Sequence, residues 1–221
     1  NHTFSVTVKN IQKIAACIFE PIQGEGGIHP LQKSFVQALR DHADRLGFLL
    51  ISDEIQAGMY RTGTLASATQ LDVCADIYCF AKALGGGVAK TAATLIHKKK
   101  LVDRFGYLHT STFAEDSFSS AIACSVLELL DEPTIREGMK IAAYLKQELE
   151  NLQHRHPAVI REVRGRGLLI GVEFDPSIRN QCYELKFFYD LGLLGWLFSS
   201  ALLNRQALRI SPTMSSPLTL R

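Results

Sequence analysis

The sequence predicts an α/β fold, a domain built on a mainly parallel sheet and followed by a partial α+β small domain. Two observations carry this reading. In the first half, short apolar runs alternate with amphipathic stretches at helical spacing. In the second half, two long helical patterns lead into strand-like runs around a glycine turn. At 221 residues and 47% hydrophobic, the chain can bury a sizeable core without metals or disulfides as staples.

Taken in order, Ile14 to Phe19 is a short apolar run ending at Glu20-Pro21, which suits a buried strand. The glycine-rich loop Gln23-Gly24-Glu25-Gly26-Gly27 follows, and Pro30 suits the first turn of a helix. Leu31, Phe35, Leu39, Ala43 and Leu46 then recur at helical spacing, with Gly47 as the stop. Phe48 to Ile51, Asp76 to Phe80 and Ala92 to Ile96 read as further strands. Ligands bind beyond the carboxyl ends of strands in such sheets. Glu20, Asp53 and Lys82 each stand at one of these ends, so three chemically capable side chains are expected on one edge.

Beyond this sheet, Ser119 to Leu130 and Thr134 to Leu152 read as helices, and Val159 to Val163 and Leu168 to Phe174 as strands around Gly165-Arg166-Gly167. A helix near Asn180 to Leu191 and strands near Leu194 and Leu208 complete the expected second layer. The boundary is expected near Glu150 to Ala158, with a large domain over residues 1–152 and an incomplete small domain over 153–221.

Composition excludes several classes. The net charge is +2, and the single tight basic run, Lys98 to Lys100, reads as a solvated face, so nucleic acid is not an expected partner. Leu191 to Leu203 is too short and too interrupted to span a bilayer, and no basic-then-apolar leader opens the chain. Five cysteines without CxxC or zinc-type spacing suggest reduced thiols in a cytoplasmic protein and no metal site. Neither GxxxxGK[ST] nor a strand followed by GxGxxG is present, which weakens a nucleotide-binding reading.

Four segments carry the chemistry: Glu20-Pro-Ile-Gln-Gly-Glu-Gly-Gly27, Ser52-Asp-Glu-Ile-Gln-Ala-Gly-Met-Tyr-Arg-Thr-Gly63, Phe80-Ala-Lys-Ala-Leu-Gly-Gly-Gly87 and Val163-Arg-Gly-Arg-Gly-Leu-Leu-Ile-Gly171. In this order the chain resembles the class III aminotransferases, the ornithine and 4-aminobutyrate aminotransferase group of fold-type I pyridoxal 5'-phosphate (PLP) enzymes. The resemblance runs from about Ile14 to near the C-terminus and weakens after Phe174. It implies transfer of an amino group from an amine or amino acid to a 2-keto acid, in a homodimer, with PLP as cofactor.

By the same resemblance Lys82 is the Schiff-base lysine, where a surface lysine in a glycine turn is the plainer alternative. Asp53 would hold a proton on the cofactor's pyridine nitrogen, or else cap the loop that follows it. Ile55 would pack on the ring and Gln56 would bond near its phenolic oxygen. Thr112, in Ser111-Thr-Phe113, would reach the cofactor phosphate of the neighbouring subunit. Glu20 and Glu25 flank the glycine loop, and Glu25 is expected to pair with Arg209 as a switch for substrate carboxylates. Arg61 is expected to be structural.

The chain departs from the family in two ways. Ala114-Glu-Asp-Ser117 replaces the usual Gly-Gly-Asn-Pro, and the added carboxylates are expected to face the substrate entrance. Nothing before Ile14 resembles the family's phosphate-cupping loop or its ring-stacking aromatic, and the family's last helix is lacking, so a fragment is expected. A PLP mutase, racemase or decarboxylase would share every motif quoted, and a noncatalytic dimerisation remnant is a further alternative.

Overall fold

The structure, a computed structural model, describes residues 14–108, 112, 114 and 116–221. Strand β1 (Ala16–Phe19) leads through a two-stranded ribbon, β2 (Ile22–Gln23) and β3 (His29–Pro30), into helix α1 (Lys33–Leu46) and strand β4 (Leu49–Asp53). Strands β5 (Ile77–Phe80) and β6 (Ala93–Ile96) follow, then the short helix α2 (Phe105–Leu108) and the helices α3 (Ser117–Leu129) and α4 (Glu132–Arg155). The chain continues as β7 (Ile160–Arg166), β8 (Leu169–Phe174), α5 (Tyr183–Asp190), α6 (Leu194–Gln206) and β9 (Thr219–Leu220).

The main sheet has the order β1-β4-β5-β6. β1, β4 and β5 are parallel, and β6 returns antiparallel, with Phe80 opposite Ala93. Alternate residues of β1 and β4 feed one core: Phe19 and Leu50 pack with Val36 and Ala43 of α1 and with Phe48, Leu71 and Val73. The apolar stripe of α1 thus has its partner, as the helical spacing requires. Gly47 ends α1 in the left-handed region at φ 76°, its N–H donating to Ala43 O at 2.9 Å. Open space surrounds the position of its absent Cβ, so the backbone angle alone makes glycine suitable there.

Pro30 lies in β3 opposite Ile22, and α1 begins three residues later. The Leu31 N–H still bonds to Pro21 O at 3.0 Å, so the ribbon competes successfully for the chain before the helix can start. The expected strand near Leu194 is instead the start of α6, and Leu208 follows its left-handed cap at Ala207. Thirteen residues form α6, twice a usual strand, and a Cβ at Gly195 in its first turn would lie 2.5 Å from the Pro217 carbonyl oxygen, so glycine admits that packing. The third strand of the second sheet is β9, too short for any periodicity to reveal. β7 and β8 form the expected hairpin, with Arg166 opposite Leu169. The expected helix from Asn180 to Leu191 is α5, preceded by a 3-10 turn, Pro176–Asn180. α4 runs through residue 152 to Arg155, and its Gln153 Nε2 donates to Arg161 O at 2.8 Å. Phe174 and Phe198, 4.6 Å apart, join β8 to α6. Among the described residues no helix is long and apolar enough to cross a membrane.

Asp76 ties the first layer together. Its Oδ2 accepts from Leu50 N at 2.8 Å and from Arg40 Nη1 at 2.8 Å, and Lys100 Nζ lies 3.7 Å from Oδ1. One carboxylate therefore joins α1, β4 and the segment after β6. Burial pushes its pKa up, but the Leu50 N–H and the Arg40 and Lys100 cations outweigh burial and hold it below 3.8. A depressed pKa stabilises the fold above the unfolded value, and the benefit is lost as the pH falls through the folded one. Asp76→Asn is expected to cost about 2 kcal/mol at neutral pH, because it leaves the largely buried Arg40 guanidinium with Asp44 as its one carboxylate among the described residues. Urea unfolding from pH 7 downward should show that deficit shrinking only below the ordinary aspartate range.

Candidate active site

The parallel register aligns three strand ends. Phe19 stands opposite Ser52, and Asp53 opposite Cys79, so Glu20, Asp53 and Lys82 leave the sheet along the same edge. This is the convergence expected from the sequence. Each side chain is then shaped by its own loop.

Glu20 Oε2 accepts from Gly24 N at 2.9 Å and so folds the glycine loop back toward β1. Two later amides of the turn, Gly27 N and Ile28 N, donate to Gly24 O at 3.2 and 3.4 Å. A Cβ at Gly24 would lie 2.5 Å from the Gln56 carboxamide, so glycine there leaves room for that side chain. Gln56 in turn donates from Nε2 to Glu25 Oε1 at 3.3 Å and accepts from Arg221 Nη1 at 2.6 Å.

Glu25 forms its ion pair with Arg221, not with Arg209. Its Oε2 also accepts from Met214 N at 3.2 Å, and its carbonyl oxygen accepts from Ser215 N at 3.0 Å. Burial raises the Glu25 pKa, but Arg221, the Met214 N–H and Gln56 together bring it below 4.5. Arg209 is exposed and has no hydrogen bond or ion pair among the described residues. The turn from α6 into the closing segment leaves Arg209 outside and returns Arg221 to the site, a reversal invisible in the spacing of the sequence.

Asp53 Oδ1 accepts from Ile55 N at 3.0 Å, so the carboxylate does cap its loop, and its second oxygen has no bond among the described residues. Glu54, the next residue, is a feature the sequence reading missed. It is 1% exposed and accepts from Ser52 Oγ at 2.9 Å, Ala68 N at 2.9 Å and Ser67 N at 2.8 Å. This carboxylate pins the loop of residues 54–68 behind Ile55 and Gln56. Its available signal was an acidic pair directly after an apolar strand, only one member of which can face the same side.

Lys82 opens the 3-10 turn Lys82–Gly85 with φ at 49°, in the left-handed region, while Leu84 and Gly85 behind it are buried. Its side chain is exposed and lines a cavity of about 290 Å³ with Ile55, Gln56, Arg61, Ile170 and Arg221. A larger hollow of about 350 Å³, between Arg161, Tyr189, Leu194 and Pro217, contains none of the sequence-predicted site residues. Arg61 has a structural part as well, its carbonyl oxygen accepting from Leu168 N at 2.8 Å.

Thr112 is exposed in a turn before α3 and does not line the cavity. Its neighbours Ser111, Phe113 and Glu115 lie outside the described residues. Asp116 caps α3, its Oδ2 accepting from Ser119 N at 2.8 Å.

Residues 3–214 match the family described as Aminotransferase class-III. The chain belongs to the class III aminotransferases. It is 39% identical over 192 residues to an acetylornithine aminotransferase of Clostridium acetobutylicum, covering 84% of this chain and 49% of that protein. With an ornithine aminotransferase 2 of Staphylococcus saprophyticus the identity is 38% over 184 residues, covering 83% and 45%. The chain thus spans about half the length of the curated relatives it matches.

Solved class III structures share the fold. The ornithine aminotransferase of Toxoplasma gondii, whose active site holds PLP at partial occupancy, aligns with a TM-score of 0.77 at 28% identity, over 95% of this chain and 46% of that one. The N-acetylornithine aminotransferase of Stenotrophomonas maltophilia aligns at 0.72 and 30% identity, over 96% and 51%.

Glu54→Ala would leave the buried Ser67 and Ala68 amides unpaired, and is expected to cost about 3 kcal/mol. Burial raises the Glu54 pKa above 4.5 against its three hydrogen bonds. A raised pKa gives stability that is complete below the unfolded value and fades as the pH rises through the folded one. The wild-type advantage in urea unfolding should therefore be largest below the ordinary glutamate range and narrow as the pH rises above it.

Proposed function

We propose that the protein to which this chain belongs transfers an amino group from an amine or amino acid to a 2-keto acid, using PLP held at Lys82. One observation carries the proposal: a lysine and a carboxamide line a cavity at the carboxyl edge of a parallel sheet, where the neighbouring strand ends in a carboxylate with one oxygen unbonded among the described residues.

The residues present fit the cofactor. When bound, PLP supplies an aldehyde that takes up amines and a ring that draws electrons from the bonds around the attached carbon. Lys82 Nζ, on the cavity wall, provides the amine and afterwards a base that takes and returns a proton. The free Oδ2 of Asp53 can hold a proton on a ring nitrogen, while its Oδ1 stays fixed by the Ile55 N–H. Half-buried Ile55 offers an apolar face, and Gln56 a carboxamide for the ring's phenolic oxygen. Glu20 holds the glycine loop in place. Glu25 masks Arg221 and can release it to a substrate carboxylate, a task the sequence had suggested for Arg209.

A homodimer suits this reading, since exposed Thr112 is not among the residues lining the cavity and would serve a phosphate in a neighbouring subunit. A cytoplasmic setting suits the five free cysteines.

Mixing the chain with PLP, reducing with borohydride and mapping the peptides should place a pyridoxyl group on Lys82, and Lys82→Ala should remove it. Labelling of other lysines at unchanged yield in the variant would exclude the assignment. In an assembly active in transamination, Asp53→Ala should lower kcat roughly a hundredfold, the usual cost of one electrostatic partner at a reacting centre. Near-normal turnover would leave Asp53 as a loop cap only.

A further inference from the structure

Arg164 is a buried cation that the proposed chemistry does not use. Its side chain is 6% exposed, and each of its three nitrogens donates a hydrogen bond. Nη1 pairs with Glu162 Oε2 at 2.8 Å and with Glu173 Oε2, which balances its charge. The two remaining bonds go to neutral acceptors on separate segments. Nε donates to the carbonyl oxygen of Gly27 at 2.8 Å, and Nη2 donates to Thr219 Oγ1 at 3.1 Å.

Those two acceptors have a common relation to the site. Gly27 lies two residues after Glu25, and Thr219 lies two residues before Arg221. Thr219 Oγ1 is also 2.9 Å from Ser216 Oγ, in the segment whose Met214 and Ser215 amides reach Glu25. A planar guanidinium holds its donors in a fixed fork, which a lysine ammonium on a flexible stem cannot do. We propose that Arg164 is a positioning residue that sets the separation of Glu25 and Arg221, and so the charge presented to the cavity beside Lys82. This rests on the proposed function only in taking that cavity as the substrate site.

The test is a carbon-detected NMR titration of the Glu25 carboxyl in the cofactor-free chain. Among the described residues Arg221 is the charged side chain bonded to Glu25; His29, Glu162 and Glu173 border Arg164, and residue-specific signals keep their titrations apart. Wild-type Glu25 should titrate below the ordinary glutamate value, and Arg221→Gln should move it upward. Arg164→Lys should move it the same way by at least half as much, and adding Arg221→Gln to Arg164→Lys should add less than Arg221→Gln does alone. An unmoved Glu25 in Arg164→Lys, with a lowered melting temperature, would reduce Arg164 to a sheet anchor and overturn the proposal. If Arg164→Lys does not fold, Thr219→Val removes one arm of the fork while keeping the shape of the site, and an unmoved Glu25 there overturns it equally. No cofactor enters this measurement, so failed labelling of Lys82 would sink the proposed function alone.

Discussion

Phe19 opposite Ser52 and Asp53 opposite Cys79 are two lines of a parallel ladder, and the site depends on them. A slip of one residue in either pairing would turn every side chain of the shifted strand to the other face. Leu50 and Ser52 would leave the buried side of β4, and Asp53 would turn into the core that α1 covers. Burial of Phe19 and Leu50 against Val36 and Ala43 therefore does more than stabilise the layer. It decides which way the carboxylate at the end of β4 points.

Polar groups buried behind this edge work as tethers. Asp76 joins three segments of the main layer, Glu54 holds the loop after β4, and Arg164 joins the second sheet to the glycine loop. Each satisfies backbone groups that would otherwise be unpaired away from water, where the loss is most costly. The cavity walls inherit part of their order from these tethers, since Gln56, Lys82 and Arg221 all lie outside the strands.

Much of this was legible in the sequence. The strands and α1 follow from apolar runs, helical spacing and the glycine stop, and the motif order identified the family. Elements that carry little side-chain pattern were not legible. β9 has two residues, Pro30 looks like a helix start until its pairing with Ile22 is known, and the apolar residues of α6 follow no clear helical period, so strand and helix cannot be told apart. Within the site, Asp53, Ile55, Gln56 and Lys82 were named from local motifs. Glu54 was passed over beside them, and Arg221 could not be found because its meeting with Glu25 depends on how a segment nearly two hundred residues away turns back.

The left-handed backbone at Lys82 has a consequence for how such a chain can change. For a residue with a Cβ this conformation costs roughly 1–2 kcal/mol, which glycine would largely avoid. Ile28, Met59, Tyr60, Asp72 and Ala207 share this left-handed backbone, so the chain bears the same cost at several places. At position 82 stability alone favours glycine, and under the proposed function that change would erase the amine.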